Sequence, residues 1–274
     1  MAGKGPQSRD RIIGARLRAI RKERATLSLE AAAAAAQWSS ARLSRTENGL
    51  RHVTTEEVAT LLTTYKIPVA EREEIIAQVQ MGSSSGWWDR PLPGVPPEVG
   101  ALASYESDAI ELINVTITAV PGLLHTYETA KAVMAADGVP AKDIETNWMA
   151  RLRRQQVLGT VDYTAYIGEA ALRTPFGGLA ALREQLEHLL GARDRGIAVR
   201  VIPAHQTKVL LLHSWLWMRF PTAKPVVHVD LTPGSFYLHD DDAAPYTDAL
   251  RRLDRVALTQ DASRTLITNL MKGT

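Results

Sequence analysis

Apolar positions recur at helical spacing through the N-terminal part of the chain. Ile12, Ile13, Leu17 and Ile20 alternate with Arg9, Arg11, Arg16, Arg18 and Arg21, which predicts an amphipathic first helix over 9–24. Ser28 is a good N-cap for the strong helix formers Leu29 to Ala36, whose small side chains let another helix pack closely. A second start follows at once. Trp38 precedes a capping serine, and Leu43 stands where a hydrophobic staple to Trp38 would fix the entry angle of the next helix. Asn48 and Gly49 end it, since Gly tolerates the left-handed conformation of helix ends. Leu43 and Thr46 share the face expected to meet the core, which leaves Ser40, Ala41, Arg42 and Arg45 outward. Thr54 to Glu57 reads as a capping box opening a fourth helix through Tyr65. Pro68 introduces a fifth, over 69–81, with Val69, Ile75, Ile76 and Val79. Five helices in about 75 residues make a compact all-α unit.

The pattern then breaks. Gly82 to Gly86 and the Pro-rich stretch Arg90 to Pro97 form the best linker in the chain, interrupted by Trp87 and Trp88, a pair suited to anchor it on one domain. The expected organisation is a helical domain over 1–81, a linker over 82–97 and a larger domain over 98–274. Within the latter, helices are expected near 98–115, 126–137, 141–158, 178–193, 244–257 and 261–271. Strand-like runs occur at Tyr163–Ile167, Ala198–Ile202, Trp215–Phe220, Val226–Leu231 and Ser235–Leu238. This predicts an α+β C-terminal domain with a mainly antiparallel sheet behind the all-α unit.

Composition changes this picture in one respect. The chain of 274 residues has a formal net charge of only +2, but residues 1–51 carry +7 and residues 52–274 carry −5. A basic head on a mildly acidic body is the electrostatic footprint of phosphate binding. No apolar run reaches the ~18–20 residues needed to span a bilayer and no signal-peptide core is visible, so a cytoplasmic protein without membrane association is expected. The absence of cysteine excludes disulfides, thiolate catalysis and Cys-ligated metal sites.

Two short helices meeting at a tight turn inside a basic segment suit DNA reading, with the second helix in the major groove. Arg42 and Arg45 are candidates for bidentate contact with guanine, Ser40 for a base or phosphate, and Ala41 for a thymine methyl. Arg51, just past the helix, and Arg16 and Arg18 on the first helix suit phosphate contacts, with Ser39 and Asn48 flanking the reading helix to complete the set. Candidate enzyme chemistry is thinner. His228 with Asp230, and His239 with Asp240, Asp241 and Asp242, can be drawn as a metal or acid–base cluster. A polar turn and helix N-terminus explain the aspartates better. Arg151, Gln155, Glu169 and Gly177 are candidates to line a ligand pocket, though a solvated helix face and a strand-end carboxylate account for the polar ones equally well. No metallohydrolase, nucleophile-elbow or phosphate-loop pattern occurs, and no enzyme, metal or cofactor is expected.

The segment Ile13 to Tyr65, with Leu27-Ser28-Leu29, Leu43-Ser44-Arg45 and Glu47-Asn48-Gly49, resembles the xenobiotic-response-element (Cro/C1-repressor-like) helix-turn-helix regulators. Val120–Thr126, Arg151–Gln155, Gly168–Arg173, Phe176–Gly178, Glu184–Leu186 and Val199–Pro203 follow in the order of the uncharacterised C-terminal domain of WhiJ-type actinobacterial regulators. The resemblance implies a transcriptional regulator that binds double-stranded operator DNA as a homodimer. Its C-terminal domain would answer to a small-molecule ligand or to a small partner protein encoded nearby. The alternative is an antitoxin-like module that sequesters such a partner. Three departures from the family pattern stand out. Gln37 replaces the usual turn Gly, so a non-glycine residue is expected in a left-handed conformation. Leu29 replaces a phosphate-touching Gln and is assigned no contact. Glu47 has a family counterpart that pairs with a first-helix Arg; the position aligned with that Arg is Lys22 here, with Arg21 beside it, and Glu47 is expected to be structural.

Overall fold

The computed structural model describes residues 8–81, 92–221, 223–231 and 234–273, with the side chains of 8, 9, 11, 12, 74 and 77–81 outside the description. The chain forms two compact units, one of Met1–Arg90 with Gly100–Asp108, the other of Pro91–Val99 with Ala109–Thr274. Most of the expected linker, including Trp87 and Trp88, lies outside the described residues, as do the side chains of Arg9, Arg11, Ile12 and Val79.

The first unit contains the five expected helices: α1 (Ser8–Ala19), α2 (Leu29–Ala35), α3 (Ser40–Glu47), α4 (Thr55–Thr64) and α5 (Val69–Met81). The last part of the first predicted helix, Ile20–Arg24, is a π-helical turn. Ile13, Leu17, Ala32, Ala33, Leu43, Leu61, Leu62 and Tyr65 are buried in one core, against which Trp38 packs. The alanines of α2 matter here because a side chain of one methyl lets α3 approach closely. The caps form as expected. Ser28 accepts from Ala31 N, Ser39 from Arg42 N, and Thr54 with Glu57 makes a complete capping box. Gln37 takes the left-handed conformation, with φ of 56°. Residues of α6 (Pro97–Asp108) from Gly100 onward group with this unit, whereas the expected boundary stood at 98; Tyr105 is fully buried.

The second unit is built on a six-stranded mixed sheet, ordered β3-β2-β1-β4-β5-β6. Its strands are β1 (Glu111–Thr116), β2 (Asp162–Gly168), β3 (Ala198–Ile202), β4 (Trp215–Arg219), β5 (Val226–Leu231) and β6 (Gly234–Leu238). β1 corrects the expected helix over 98–115, which stops at Asp108. Ile113, Val115 and Thr116 are β-branched and line a central strand buried on both faces, where the period-2 signal disappears and a short apolar run reads as helix. The sheet is mainly antiparallel, but β1, β2 and β3 are mutually parallel. Parallel neighbours need crossovers, supplied by α7 (Tyr127–Ala136) with α8 (Ile144–Gln155), and by α9 (Leu179–Leu190). α10 (Asp240–Val256) lays Ala243, Tyr246, Leu250 and Leu253 on the sheet face formed by Val115, Tyr166, Trp215, Trp217, Val227 and Val229. α11 (Gln260–Lys272) closes the β3 edge: the Ser263 hydroxyl accepts from Val201 N at 2.9 Å, and Leu258 N donates to Val201 O at 2.9 Å.

Candidate nucleic-acid interface

Helix α3, expected to be the reading helix, is held from behind and exposed in front. Leu43 and Thr46 are fully buried, while Ser39, Ser40, Ala41 and Arg45 are exposed. Gly14 of α1 sets how closely the two helices meet. A Cβ there would collide with the Thr46 carbonyl oxygen and stand 3.0 Å from that of Glu47, so only glycine permits this approach. In the sequence Gly14 is marked only by being an isolated glycine within a helical pattern.

Glu47 is structural, with a correction to its partner. Arg21, not Lys22, grips it with two bonds, Nε to Oε1 and Nη2 to Oε2, both at 2.7 Å, and donates from Nη1 to Leu27 O at 2.8 Å. Arg21, in the π-helical turn that continues α1, follows Ile13 and Leu17 at four-residue steps and is buried like them, whereas Lys22 turns into solvent. The Tyr65 hydroxyl donates to Glu47 Oε1 at 3.3 Å, and burial followed by the Glu47 charge pushes the phenol above its ordinary range. At the other end of α1, fully buried Asp10 accepts from Val53 N at 3.1 Å and pairs with His52. α1 is thereby tied to the segment that follows α3.

Arg42 and Arg51 are both engaged, more tightly than an outward-facing pair of arginines would be. Each donates to Glu57 in the first turn of α4, Arg42 at 2.6 Å and Arg51 at 2.8 and 2.9 Å. Arg42 also lies over Trp38, 3.9 Å from the ring centroid. Burial alone would raise the Glu57 carboxyl; the bonds from Arg51 and Arg42 outweigh it and hold the group at about 2. Arg45 has a looser setting, with Nε donating to Ala41 O at 3.3 Å on its own helix. Asn48 caps α3, donating to Ser44 O at 2.8 Å and accepting from Arg18 at 3.4 Å. Arg16 is half-buried on α1. Residues of α3 and the α1 arginines therefore stand in one unit, and the role of Glu57 as the bridge between Arg42 and Arg51 was hidden in a motif that reads only as a cap.

In the second unit, two of the four candidate ligand residues meet and two do not join them. Arg151 donates to His125 Nδ1 at 2.7 Å and Gln155 to His125 O at 3.0 Å. His125 Nε2–H in turn donates to Val120 O at 2.7 Å, and burial, reinforced by the Arg151 charge, pushes the imidazole down to about 3. Gln185 of α9 accepts from Thr126 N and donates to Leu124 O. This network fastens the loop leaving β1. Glu169 instead pairs with Arg173 and accepts from Ala204 N, and Gly177 takes φ of 82° against the Glu128 carbonyl. Asp240, Asp241 and Asp242 form the first turn of α10, as expected of aspartates after a strand. Among the described residues no group of three or more His, Asp or Glu gathers to hold a metal, and no helix is long and apolar enough to cross a membrane.

Two family descriptions match separate stretches of the chain. Residues 12–75 match a family described as a helix-turn-helix domain, and residues 99–269, more than half the chain, match one described as a domain of unknown function (DUF5753). No curated protein and no solved structure matches the chain.

Proposed function

Because the chain belongs to the DUF5753 family and carries in front of that domain a Cro/C1-type helix-turn-helix that makes it a DNA-binding regulator, we propose that α3 reads a specific operator and that the C-terminal domain controls this act. The observation that carries the reading is the exposed row Ser39, Ser40, Ala41 and Arg45 on a helix whose back is locked by Leu43 and Thr46, inside a segment of net charge +7. Arg42 and Asn48 border that row. Arg16, Arg18 and Arg51 supply cations for flanking phosphates. The protein acts in the cytoplasm as a homodimer, because two half-sites one helical turn apart are engaged by paired reading helices. Control comes from a small-molecule ligand or a small partner protein docking on the second unit, with Arg151, Gln155, Glu169 and Gly177 as the residues to test for it.

The test is selection of duplexes from a random library by the full-length protein, followed by titration at several salt concentrations. An enriched sequence with inverted half-sites is expected, with affinity falling steeply in salt at a log–log slope of about −0.9 per neutralised phosphate. Failure to enrich any sequence, or tight binding indifferent to salt, overturns the reading.

A further inference from the structure

Glu57 joins two arginines that the sequence assigns to different tasks. Arg42 and Arg51 both donate to its Oε1, at 2.6 and 2.8 Å, and Arg51 reaches Oε2 as well, at 2.9 Å. Trp38 lies under both guanidinium groups, with centroid distances of 3.9 and 6.0 Å. Each support is itself anchored. Trp38 packs on the helical core, Glu57 Oε2 accepts from Thr54 N at 3.0 Å, and Arg51 also donates to Thr46 Oγ1 at 3.1 Å.

Resting on the reading of α3 as the DNA-contacting helix, we propose that Arg42 and Arg51, bridged by Glu57 and seated on Trp38, form one clamp for a backbone phosphate, and that guanidinium reading of bases falls to Arg45 alone. Charge and layering both support this. Two guanidinium groups and one carboxylate leave a net +1, which one phosphodiester neutralises and a base edge, being uncharged, does not. The carboxylate is the inner layer, its side chain 14% exposed, against 41% for Arg42 and 29% for Arg51, so an approaching anion meets cations first. Stacking on an indole with an in-plane ion pair is the setting in which a planar guanidinium is pre-organised. Pre-organisation suits a fixed phosphate contact that sets the helix in register. The contacts that provide it commit Arg42 to Glu57 in the first turn of α4 and to the Trp38 ring. Arg45, bonded among the described residues to its own helix at 3.3 Å and exposed, can extend its fork to a guanine edge.

The experiment uses the full-length protein, the duplex that wild type enriches from a random library, and a scrambled duplex of the same composition, each titrated over a series of salt concentrations. Arg42→Ala is expected to weaken both duplexes by a similar factor and to flatten the salt slope by roughly one unit. Arg42→Lys, which keeps the charge but loses the fork and the stacking, restores the slope while binding both duplexes more weakly than wild type. Glu57→Gln keeps both cations but loosens the bridge and raises the net charge of the cluster to +2, so the salt slope steepens for both duplexes with discrimination intact. Arg45→Ala lowers affinity for the enriched duplex about tenfold or more and leaves the scrambled one nearly unchanged. Thermal melting of each variant separates loss of contact from loss of fold, and Arg42→Lys carries the test if Arg42→Ala unfolds. Loss of discrimination in Arg42→Ala or Arg42→Lys, with scrambled binding and salt slope unchanged, overturns the clamp while leaving DNA reading by α3 intact. Enrichment of no duplex by wild type overturns both.

Discussion

Arg21 and Glu47 show how a single residue's place on a helix decides its chemistry. Both side chains are nearly inaccessible, 7% and 3% exposed, and satisfy each other with two short bonds in a segment otherwise devoted to surface cations. The Arg21 guanidinium is held above its ordinary range first by the Glu47 hydrogen bond, against the opposing effect of burial. Arg21→Ala would leave a carboxylate buried among apolar side chains. A loss of about 3–5 kcal/mol from the stability of the first unit is expected in urea denaturation followed by circular dichroism. Replacing both partners, Arg21→Met with Glu47→Met, should recover most of that loss, because well-packed apolar side chains replace a buried ion pair at little net cost. A double variant no more stable than Arg21→Ala would show that the pair does more than satisfy itself. The sequence shows that Glu47 needs a cation; the choice of Arg21 over Lys22 follows from helical phase, legible only once Ile13 and Leu17 are known to face the core.

At the scale of elements, local signals were strongest where caps and turns carry them. Ser28, Ser39 and the box of Thr54 with Glu57 start three helices as expected, because a side-chain oxygen on an orphan amide is a nearest-neighbour interaction. Gln37 is the exception that the turn tolerates. It is exposed, and its φ of 56° places a Cβ where glycine would carry none. Gln37→Gly should therefore raise the melting temperature of the first unit, corresponding to roughly 0.5–1 kcal/mol after the extra unfolded-state entropy of glycine is deducted. An unchanged or lower melting temperature would mean that the Gln37 side chain contributes contacts that outweigh its strain. β1 marks where local signals failed. Its partners β2 and β4 are distant in sequence, and burial on both faces erases the alternation that identifies a strand.

For the whole molecule, the two units should differ in their response to acid. Unfolded His125 takes up a proton below pH of about 6.5, whereas the folded residue, buried and facing Arg151, stays neutral to about 3. Protons therefore favour the unfolded second unit across that interval, at up to about 1.4 kcal/mol per pH unit, and His125→Gln should flatten the dependence. The Glu57 carboxylate, held at about 2, contributes stability that is complete above its unfolded value near 4.5 and is lost as pH falls toward 2, so the first unit should resist until lower pH. Amide hydrogen exchange of the full chain from pH 7 to 3 reads both, and an earlier acid transition in the first unit would contradict the assignment. The sequence by itself determined the helical N-terminal unit, the turn between α2 and α3, the basic bias toward that end and the mixed character of the remainder, because caps, periodicity and charge are properties of neighbouring residues. Only the tertiary structure decided that β1 is a central strand flanked by parallel and antiparallel neighbours, that Gly14 admits α3, that Glu57 binds Arg42 and Arg51 together, and that Arg151 and Gln155 meet at His125. Each of these depends on which distant segments pack together, and a burial or pairing made across the fold leaves no period or spacing in the local sequence.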